Sequence, residues 1–271
     1  MIALNIALVQ MDVKIGKKEE NIKKAEKLLK KCEDFKLDII CFPELFTTGY
    51  DLENISNLAE SSSALSLKFI TEKARKLSCY ILAGSIAEKN QDRIYNTSFL
   101  IDNQGQIIGK YSKINLFPPF KEDLYFEKGK EVSLSKIKIK DKEIWVGILI
   151  CYDLRFPTLF QKLTQEGAQI IFVPSQFPNP RIEHWKVLLK ARAIENQVYI
   201  IGINRIGNDS EVSYFGHSMV IDPWGEVVGN ALEEEGVLFA KIDLDRIAEA
   251  REKIPVWKNV SVETGKEEYN P

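Results

Sequence analysis

Hydrophobic and polar positions along this chain form short blocks that predict alternating strands and helices. The almost unbroken apolar run over 144–150 (IWVGILI) predicts a strand buried on both faces. Residues 17–35 instead carry apolar side chains every three or four positions, from Ile22 to Leu29, on a lysine-rich background. That spacing predicts an amphipathic helix with one face on a core.

The same pattern predicts the remaining elements. Further strands are expected over 6–10, 38–42, 80–84, 170–174, 198–204 and 237–242. Further helices are expected from just after Cys151 to about Glu166, and over 64–77, 184–196 and from Asp245. Two hairpins are predicted around Asn103-Gln104-Gly105 and Pro223-Trp224-Gly225, pairing 95–101 with 107–111 and 214–221 with 226–228. Mixed βα units and hairpins predict a layered α/β fold with a mixed sheet, which can fold over into two.

Nothing in the sequence divides the chain. The 271 residues contain no Pro/Gly/Ser-rich linker, no repeat of fixed period and no low-complexity tract. A single domain over 1–271 is therefore predicted, because this length supports one large core. The tail from about 257 has little to bury on its own subunit, and we expect it to be available for packing on a partner.

Charge and hydrophobicity limit the kinds of macromolecule or membrane that the protein is expected to bind. The net charge is -2 and the pI about 5.9, with lysines interleaved among acidic residues. Nucleic acid and acidic membranes require a basic surface, so neither is expected as a partner. No apolar run is long enough to cross a bilayer, and the N-terminus reads as a strand without the basic start of a signal peptide. We therefore expect a cytoplasmic protein.

Cysteine and histidine spacing gives no metal motif. The four cysteines, at 32, 41, 79 and 151, form no CxxC pair, and the two histidines form no HExxH pattern. A structural zinc site is therefore not expected, and reduced thiols fit a cytoplasmic location. No metal or cofactor is predicted.

Cys151 is the first candidate for chemistry. It ends the apolar strand and precedes a helical stretch, and a strand-to-helix turn presents its residue to a cleft beside free backbone N–H groups. The competing interpretation is a small core thiol, since free cysteine is among the most buried residue types.

Three other side chains follow predicted strands or hairpins and suit acyl transfer. Glu44 follows a buried strand, Lys113 follows a hairpin, and Glu122 lies in the loop after Lys113. A carboxylate near Cys151 would take the thiol proton, while an ammonium would favour the thiolate and stabilise an oxyanion. The N–H of Tyr152 is a second candidate oxyanion donor, assisted by the following helix dipole.

Each candidate has a simpler alternative. Glu44 also fits a carboxylate at a helix N-terminus, Lys113 a surface lysine and Glu122 a solvated carboxylate. The histidines are rivals as catalytic bases: His184 begins a helix and suits packing or capping, and His217 lies in a strand-like run and suits a structural role. A Cys–His hydrolase stays open as the weaker enzyme hypothesis, because spacing alone does not bring residues together.

Three segments resemble the signatures of the nitrilase superfamily, the carbon–nitrogen hydrolases. They are 42–46 (FPELF), the segment around Lys113, and 150–157 (ICYDLRFP), in the order Glu, Lys, Cys. The resemblance extends from Leu4 to about Trp257. Further similar segments are 191–199 and 216–225.

The resemblance implies both a fold and a mechanism. The fold is an αββα sandwich that dimerises as αββα–αββα. Glu44 would be the general base, Lys113 the oxyanion-stabilising cation and Cys151 the nucleophile that forms a thioester. Glu122 matches a second family glutamate that positions substrate and lysine. No cofactor or metal is implied, and Asn115, where the family often has histidine, is expected to be a tolerated variation outside the triad.

The residues after the cysteine indicate a substrate class. Segment 151–157 resembles the ω-amidase branch, whose members hydrolyse the terminal amide of 2-oxoglutaramate and 2-oxosuccinamate. Further similarity to this branch lies at 181–185, 204–207 and 254–257. Such substrates carry a distal carboxylate, which bidentate arginine suits. Arg155 and Arg181, with Tyr152, are therefore the predicted substrate-binding residues, although Arg155 also fits an ion pair that ties its helix to a neighbouring carboxylate.

Other functions stay open at this stage. The alternatives within the family are an N-carbamoyl amino acid or amine amidohydrolase and an aliphatic amidase; a true nitrilase usually has a Cys-Trp-Glu segment that this chain lacks. The non-enzyme alternative is an inactive binding scaffold of the same fold. Degraded relatives usually lose a member of the triad, whereas this chain retains Glu44, Lys113 and Cys151.

Overall fold

Two β-sheets pack face to face between outer layers of helices in the computed structural model, which describes residues 3–61, 64–209 and 212–256. The predicted tail from about 257 lies outside the described residues. The partner contact of that tail and the single domain over 1–271 therefore stay predictions.

The elements follow one another in the mixed order that the hydrophobic pattern predicts. The strands are β1 (Ala3–Gln10), β2 (Ile39–Cys41), β3 (Tyr80–Leu82), β4 (Ile86–Asn90), β5 (Arg93–Ile101), β6 (Ile107–Ser112), β7 (Leu134–Ile139), β8 (Lys142–Ile148), β9 (Ile170–Ser175), β10 (Tyr199–Asn204), β11 (Ile206–Asn208), β12 (Ser213–Phe215), β13 (Met219–Ile221), β14 (Val227–Asn230) and β15 (Gly236–Asp243). The α-helices are α1 (Lys18–Leu29), α2 (Ile55–Leu58), α3 (Leu65–Leu77), α4 (Pro157–Gln165), α5 (Ile182–Asn196) and α6 (Asp245–Lys253). Short 3₁₀ helices cover Lys30–Cys32, Pro118–Phe120, Glu122–Leu124 and Cys151–Arg155.

The two large sheets are both mixed. The first runs β15-β1-β2-β3-β5-β4, with β6 also paired to β5; the second runs β14-β13-β10-β9-β8-β7. Parallel pairs (β1 with β2, β2 with β3, β8 with β9, β9 with β10) form the centres of the sheets, and antiparallel pairs flank them. Central parallel strands are buried on both faces, which explains their continuous apolar sequences.

Helices cover the outer face of each sheet. One core cluster joins the first sheet to α1 and α3, and a larger one joins the sheets to each other and to α4 and α5. Two glycines allow helices to pack close to the second sheet. A Cβ on Gly147 would lie 2.8 Å from Leu163 of α4, and one on Gly202 would lie 2.6 Å from Trp185 of α5. The absence of a side chain at these two strand positions lets the helices approach the second sheet.

Several predicted boundaries differ from the structure. The helix expected over 17–35 ends at Leu29, where the chain tightens into a 3₁₀ turn. Strand β7 is not predicted, although its buried positions alternate regularly with exposed ones. Trp145 in β8 is 38% exposed, so that strand is buried on both faces only over its second half.

The predicted strand over 214–221 is wrong. Gly216 and His217 have positive φ angles of 70° and 52°, which interrupt the strand between β12 and β13. A left-handed residue cannot continue a ladder, so β12 pairs with β11 whereas β13 pairs with β10 and β14. His217 therefore lies in a kink and not within a strand.

The ends of strands from both sheets converge on one region. Glu44 follows β2, Lys113 follows β6, and Cys151 lies beyond the end of β8. Gln176 and Arg205 directly follow the neighbouring strands β9 and β10. The sandwich thus brings together polar side chains from distant parts of the chain. None of the helices among residues 3–61, 64–209 and 212–256 combines the length and apolar character of a membrane span.

Candidate active site

Cys151 lies at a sharp turn rather than directly at the end of its strand. Leu149 and Ile150 separate it from β8, and it begins the 3₁₀ helix Cys151–Arg155 that precedes α4. Its φ angle is 47°, in the left-handed region that non-glycine residues rarely occupy. Such conformations concentrate at functional sites, where the surrounding structure holds them in place.

Asp153 holds this turn and joins it to the lysine loop. Its carboxylate accepts hydrogen bonds from Ile150 N at 3.0 Å and from Tyr111 Oη at 2.7 Å. It also accepts two from Asn115, through N and Nδ2, each at 2.9 Å. Asn115 is thus part of the link between the loop of Lys113 and the turn of Cys151, a role that the interpretation of a tolerated variation does not include.

Glu44 is fully buried and accepts hydrogen bonds from four side chains or backbone groups. Its Oε1 accepts from Lys113 Nζ at 2.8 Å, Tyr50 Oη at 2.7 Å and Asn96 Nδ2 at 2.9 Å. Its Oε2 accepts from Gln176 N at 2.9 Å. No helix begins at Glu44, so the alternative of a helix N-terminal carboxylate is excluded.

Lys113 lies between two carboxylates. Its Nζ is 2.8 Å from Glu44 Oε1 and 2.9 and 2.8 Å from the two oxygens of Glu122. Glu122 also accepts a hydrogen bond from Phe117 N at 2.5 Å, which ties it to the loop after Lys113. Both Lys113 and Glu122 are fully buried, so the surface-lysine and solvated-carboxylate alternatives are wrong.

Burial and charge set the protonation of the cluster. Burial raises the pKa of the Cys151 thiol well above its usual range, and Glu44 and Glu122 add to this against the opposing effect of Lys113. Burial alone would lower the pKa of Lys113, but Glu122 and Glu44 outweigh it and raise that pKa. Burial also raises the pKa of Glu122, with Lys113 lowering it in part. These shifts favour the neutral thiol and the charged lysine, so nucleophilic attack by Cys151 requires a base.

Cys151 opens into a small cavity. Aromatic side chains form much of its wall, and its lining residues are Tyr50, Phe117, Cys151, Tyr152, Arg155, Gln176, Phe177, Pro178 and Arg181. The structure thus places all three predicted substrate-binding residues, Tyr152, Arg155 and Arg181, around the candidate nucleophile.

The two arginines lie against aromatic rings. Arg155 is 5.5 Å from the ring centre of Phe177 and Arg181 is 5.7 Å from that of Phe117. Neither has a carboxylate within 4.0 Å in the described parts of the chain, so the ion pair considered for Arg155 is not found. The guanidinium planes are supported by the rings, which leaves N–H groups for an anionic ligand.

Neither histidine lies at the cavity. His184 is exposed, and its Nδ1 accepts a hydrogen bond from Arg155 Nη2 at 3.1 Å. His217 is buried, with Nδ1 3.1 Å from Asn230 Oδ1. Neither is among the residues lining the cavity beside Cys151, so the geometry gives no support to a Cys–His pair.

Sequence reasoning missed three residues that bind Glu44. Tyr50, Asn96 and Gln176 all donate to Glu44, yet none belongs to a segment singled out from the sequence. Gln176 alone carried a usable signal, its place directly after a buried strand. Among the described residues no group of three or more His, Cys, Asp or Glu side chains has the arrangement of a metal site.

The chain matches known proteins over almost its whole length. A family model described as "Carbon-nitrogen hydrolase" matches residues 5–252. A protein named 2-oxoglutaramate amidase from Bacillus subtilis (strain 168) is 41% identical over 94% of this chain and 96% of its own length. A human (Homo sapiens) protein named Omega-amidase NIT2 is 33% identical over 95% of each chain.

Solved structures give the same assignment. Saccharomyces cerevisiae Nit3, described as a member of branch 10 of the nitrilase superfamily, superposes with a TM-score of 0.86 at 29% identity, covering 96% of this chain and 97% of that one. XC1258 from Xanthomonas campestris, described as a CN-hydrolase superfamily protein with an arsenic adduct in the active site, gives a TM-score of 0.88 at 28% identity, covering 97% and 99%. These likenesses confirm the predicted nitrilase-type α/β fold.

Proposed function

Because the chain belongs to the carbon–nitrogen hydrolase family and is an amide-hydrolysing enzyme, we propose that it is an ω-amidase acting on 2-oxoglutaramate and 2-oxosuccinamate. One observation carries the proposal. A buried Glu44–Lys113–Glu122 cluster adjoins Cys151 in a cavity whose two arginines have no carboxylate within 4.0 Å in the described residues. The cluster suits amide cleavage, and the arginines suit a substrate with a distal carboxylate.

In the first half-reaction Cys151 becomes acylated. Glu44 takes the thiol proton as Sγ attacks the amide carbonyl carbon, because burial keeps the pKa of the resting thiol too high for spontaneous ionisation. Lys113 Nζ and the N–H of Tyr152 stabilise the oxyanion of the tetrahedral intermediate. The C–N bond then breaks, the proton on Glu44 passes to the leaving nitrogen, ammonia departs, and a thioester remains.

In the second half-reaction water replaces ammonia. Glu44 removes a proton from a water molecule, whose oxygen attacks the thioester carbonyl. The C–S bond breaks, the thiolate regains the proton from Glu44, and the free acid leaves. Glu122 holds Lys113 in place throughout through both carboxylate oxygens.

The two arginines supply recognition of the substrate carboxylate. Guanidinium groups bind carboxylates through paired N–H donors, and Arg155 and Arg181 line the same cavity as Tyr152. A 2-oxo dicarboxylate monoamide places its carboxylate several bonds from the reacting amide. The cavity thus suits a substrate with the amide at Cys151 and the carboxylate at the arginines.

The test is ammonia release from a panel of 2-oxoglutaramate, 2-oxosuccinamate, a short aliphatic amide, an N-carbamoyl β-amino acid and an aliphatic nitrile. We expect strong release from the two keto-acid amides by the wild type and none by Cys151→Ala. A matched control is Cys79→Ala, which removes a buried thiol from the other core cluster. Preference for the carbamoyl compound or the aliphatic amide would overturn the substrate proposal, and full activity of Cys151→Ala would overturn the mechanism.

We also propose that the protein is a cytoplasmic homodimer. All four cysteines are buried and unpaired, which suits a reducing compartment. The outer face of α5 exposes Val187 at 60% and Ile194 at 52%, an unusual amount for large apolar side chains on a helix. A second copy of the chain on this face would remove both from water.

A further inference from the structure

Arg205 is a fully buried arginine that the proposed mechanism does not use. It belongs to 204–207, one of the segments that resemble the ω-amidase branch, and directly follows β10. Its guanidinium donates to Gln176 Oε1 at 2.9 Å, Asp209 Oδ2 at 3.0 Å and Val13 O at 2.5 Å. The ring of Tyr214 lies 4.2 Å from its Cζ. Burying a cation this completely is costly unless its hydrogen bonds are satisfied, so the arrangement calls for a reason.

Adjacent parallel strands bring Arg205 and Gln176 together. Gln176 follows β9 as Arg205 follows β10, and Ser175 pairs with Asn204 in the ladder. Arg205 N donates to Ser175 O at 3.0 Å, which continues the pairing one residue past the strands. The two side chains therefore leave the second sheet side by side, at the edge that faces the candidate site.

Gln176 in turn contacts Glu44 twice. Its backbone N–H donates to Glu44 Oε2 at 2.9 Å, and its side-chain Nε2 donates to the Glu44 carbonyl oxygen at 2.8 Å. Gln176 thus binds both the backbone and the carboxylate of the proposed base, Glu44.

Arg205 decides which way the Gln176 amide faces. The oxygen and nitrogen ends of an amide are nearly equal in size, so packing alone does not distinguish them. A guanidinium only donates, so it accepts the Oε1 end and repels the NH₂ end. When Oε1 accepts from Arg205, Nε2 faces the Glu44 carbonyl and donates to it. In the reversed orientation the NH₂ group would face the N–H groups of Arg205, and Oε1 would face the carbonyl oxygen of Glu44.

The two oxygens of Glu44 are unequal as proton acceptors. Oε1 accepts from Lys113, Tyr50 and Asn96, which fills its lone pairs. Among the nitrogen and hydroxyl donors of the described residues, Oε2 accepts only from Gln176 N. Oε2 is therefore the oxygen with capacity for the Cys151 proton, and Gln176 determines where it points.

We propose that Arg205 is a positioning residue for the general base: by fixing the Gln176 amide it holds Glu44 Oε2 where it receives the Cys151 proton. This inference rests on the proposed role of Glu44. It predicts that Arg205 affects the chemical step through Gln176 and leaves substrate binding unchanged.

The first test is a double-mutant cycle on steady-state kinetics with 2-oxoglutaramate. Arg205→Lys keeps the charge but replaces the planar guanidinium, whose separate nitrogens reach Gln176, Asp209 and Val13, by a single ammonium. We expect kcat to fall about tenfold or more, since small misplacements of a reacting group are costly. KM should stay within about twofold, because ground-state binding is not altered. Gln176→Ala should lower kcat as well, and adding Arg205→Lys to it should cause no further loss, because two residues that act through one contact are not additive.

The control and the opposing outcomes separate positioning from stability. Arg246→Lys alters an arginine paired with Asp222 and Glu226 outside the cavity, and should keep wild-type kcat. Active sites are counted by alkylation of Cys151, so that partial unfolding is not read as lost catalysis. Wild-type kcat per active site in Arg205→Lys, or additive effects in the cycle, would overturn the inference.

A second variant covers the case in which Arg205→Lys fails to fold. Gln176→Glu offers Arg205 the same acceptor but removes the Nε2 donor to the Glu44 carbonyl, so the arginine stays paired. We expect a folded protein with kcat lowered about as much as in Gln176→Ala; wild-type kcat would overturn the inference. A wild type that releases no ammonia, or an active Cys151→Ala, would instead overturn the proposed function, so the two failures are distinguishable.

Discussion

The charge and pairing of individual residues in the site depend on burial more than on local sequence. Lys113, Glu44 and Glu122 have no solvent exposure, and one ammonium stands between two carboxylates. In water such side chains would exchange partners freely, whereas in a dry site each depends on the others for its charge. The cluster therefore suits catalysis, and the loss of one of its members would destabilise the fold.

Removing the lysine should expose this dependence. We expect Lys113→Met to be inactive and to lose about 3–5 kcal/mol of unfolding free energy at neutral pH, because two buried carboxylates lose their cation. Burial already raises the folded-state pKa of Glu122, and loss of Lys113 would raise it further. A carboxyl whose pKa is higher when folded favours folding below its unfolded pKa and loses this effect as pH rises through the folded value. The deficit should therefore shrink as pH falls from neutral towards 4, as measured by urea unfolding.

A matched control is Lys136→Met, which breaks the exposed pair between Lys136 and Glu143, where Nζ is 2.8 Å from Oε2. It should lose at most about 1 kcal/mol, since exposed pairs contribute little. Equal losses for the two variants, or a Lys113→Met deficit that does not change with pH, would contradict the charge assignment of the cluster.

The arginines make a separate prediction on specificity. Arg155→Ala and Arg181→Ala should each raise KM for 2-oxoglutaramate about 10- to 100-fold, the range for a lost hydrogen bond to a charged group. Turnover of a short aliphatic amide, which lacks the carboxylate, should change little. Steady-state kinetics on both substrates check this, and equal losses on the two would assign the arginines a structural role.

At the scale of elements, two loops are held as one unit. The turn at Cys151 and the loop of Lys113 both bind Asp153, and Asn115 provides two of the bonds. The left-handed conformation of Cys151 is unfavourable alone, so this network must stabilise it. The link explains how the nucleophile and the lysine, which follow strands of different sheets, are held together.

Weakening the link should loosen the site without unfolding the protein. Asn115→Ala removes the Nδ2 bond to Asp153 and keeps the backbone bond, so we expect a stability loss of about 1–2 kcal/mol. We expect kcat to fall about tenfold because the reacting groups lose their alignment. Asn57→Ala, at an exposed position, is the control. Thermal unfolding and ammonia release measure both effects, and an unchanged kcat would show that Asp153 holds the turn without this bond.

At the scale of the whole molecule, the exposed face of α5 is the surface that the proposed dimer would bury. Val187→Glu or Ile194→Glu should convert the proposed dimer to a monomer, because a buried carboxylate opposes an apolar interface. Ile107→Glu, at a 44% exposed position on the β5–β6 hairpin, should leave the mass unchanged. Light scattering after size-exclusion chromatography gives the mass, and a monomeric wild type at micromolar concentration would contradict the dimer.

Much of the fold followed from local pattern. The buried strands β9 and β10 and the second half of β8 have continuous apolar sequences, and the β5–β6 hairpin carries its turn residues. The failures have physical causes. The break at Gly216 and His217 does not interrupt the hydrophobic pattern, so the pattern does not predict it. In β7, exposed lysines alternate with the apolar residues and obscure the strand pattern.

The sequence by itself determined which side chains stand at strand ends, since hydrophobic runs and turn residues mark those ends locally. It thereby singled out Glu44, Lys113 and Cys151, with Glu122 in the loop after Lys113, and the resemblance supplied their roles. Only the tertiary structure decided their partners: Lys113 lies 69 residues from Glu44, and Gln176 lies 132 residues from it. The first contact depends on the order of strands within one sheet and the second on how the two sheets pack, and no local pattern encodes either. Burial then shifted the ionisation of the site, because the raised pKa of the Cys151 thiol comes from its tertiary surroundings and not from its neighbours in sequence.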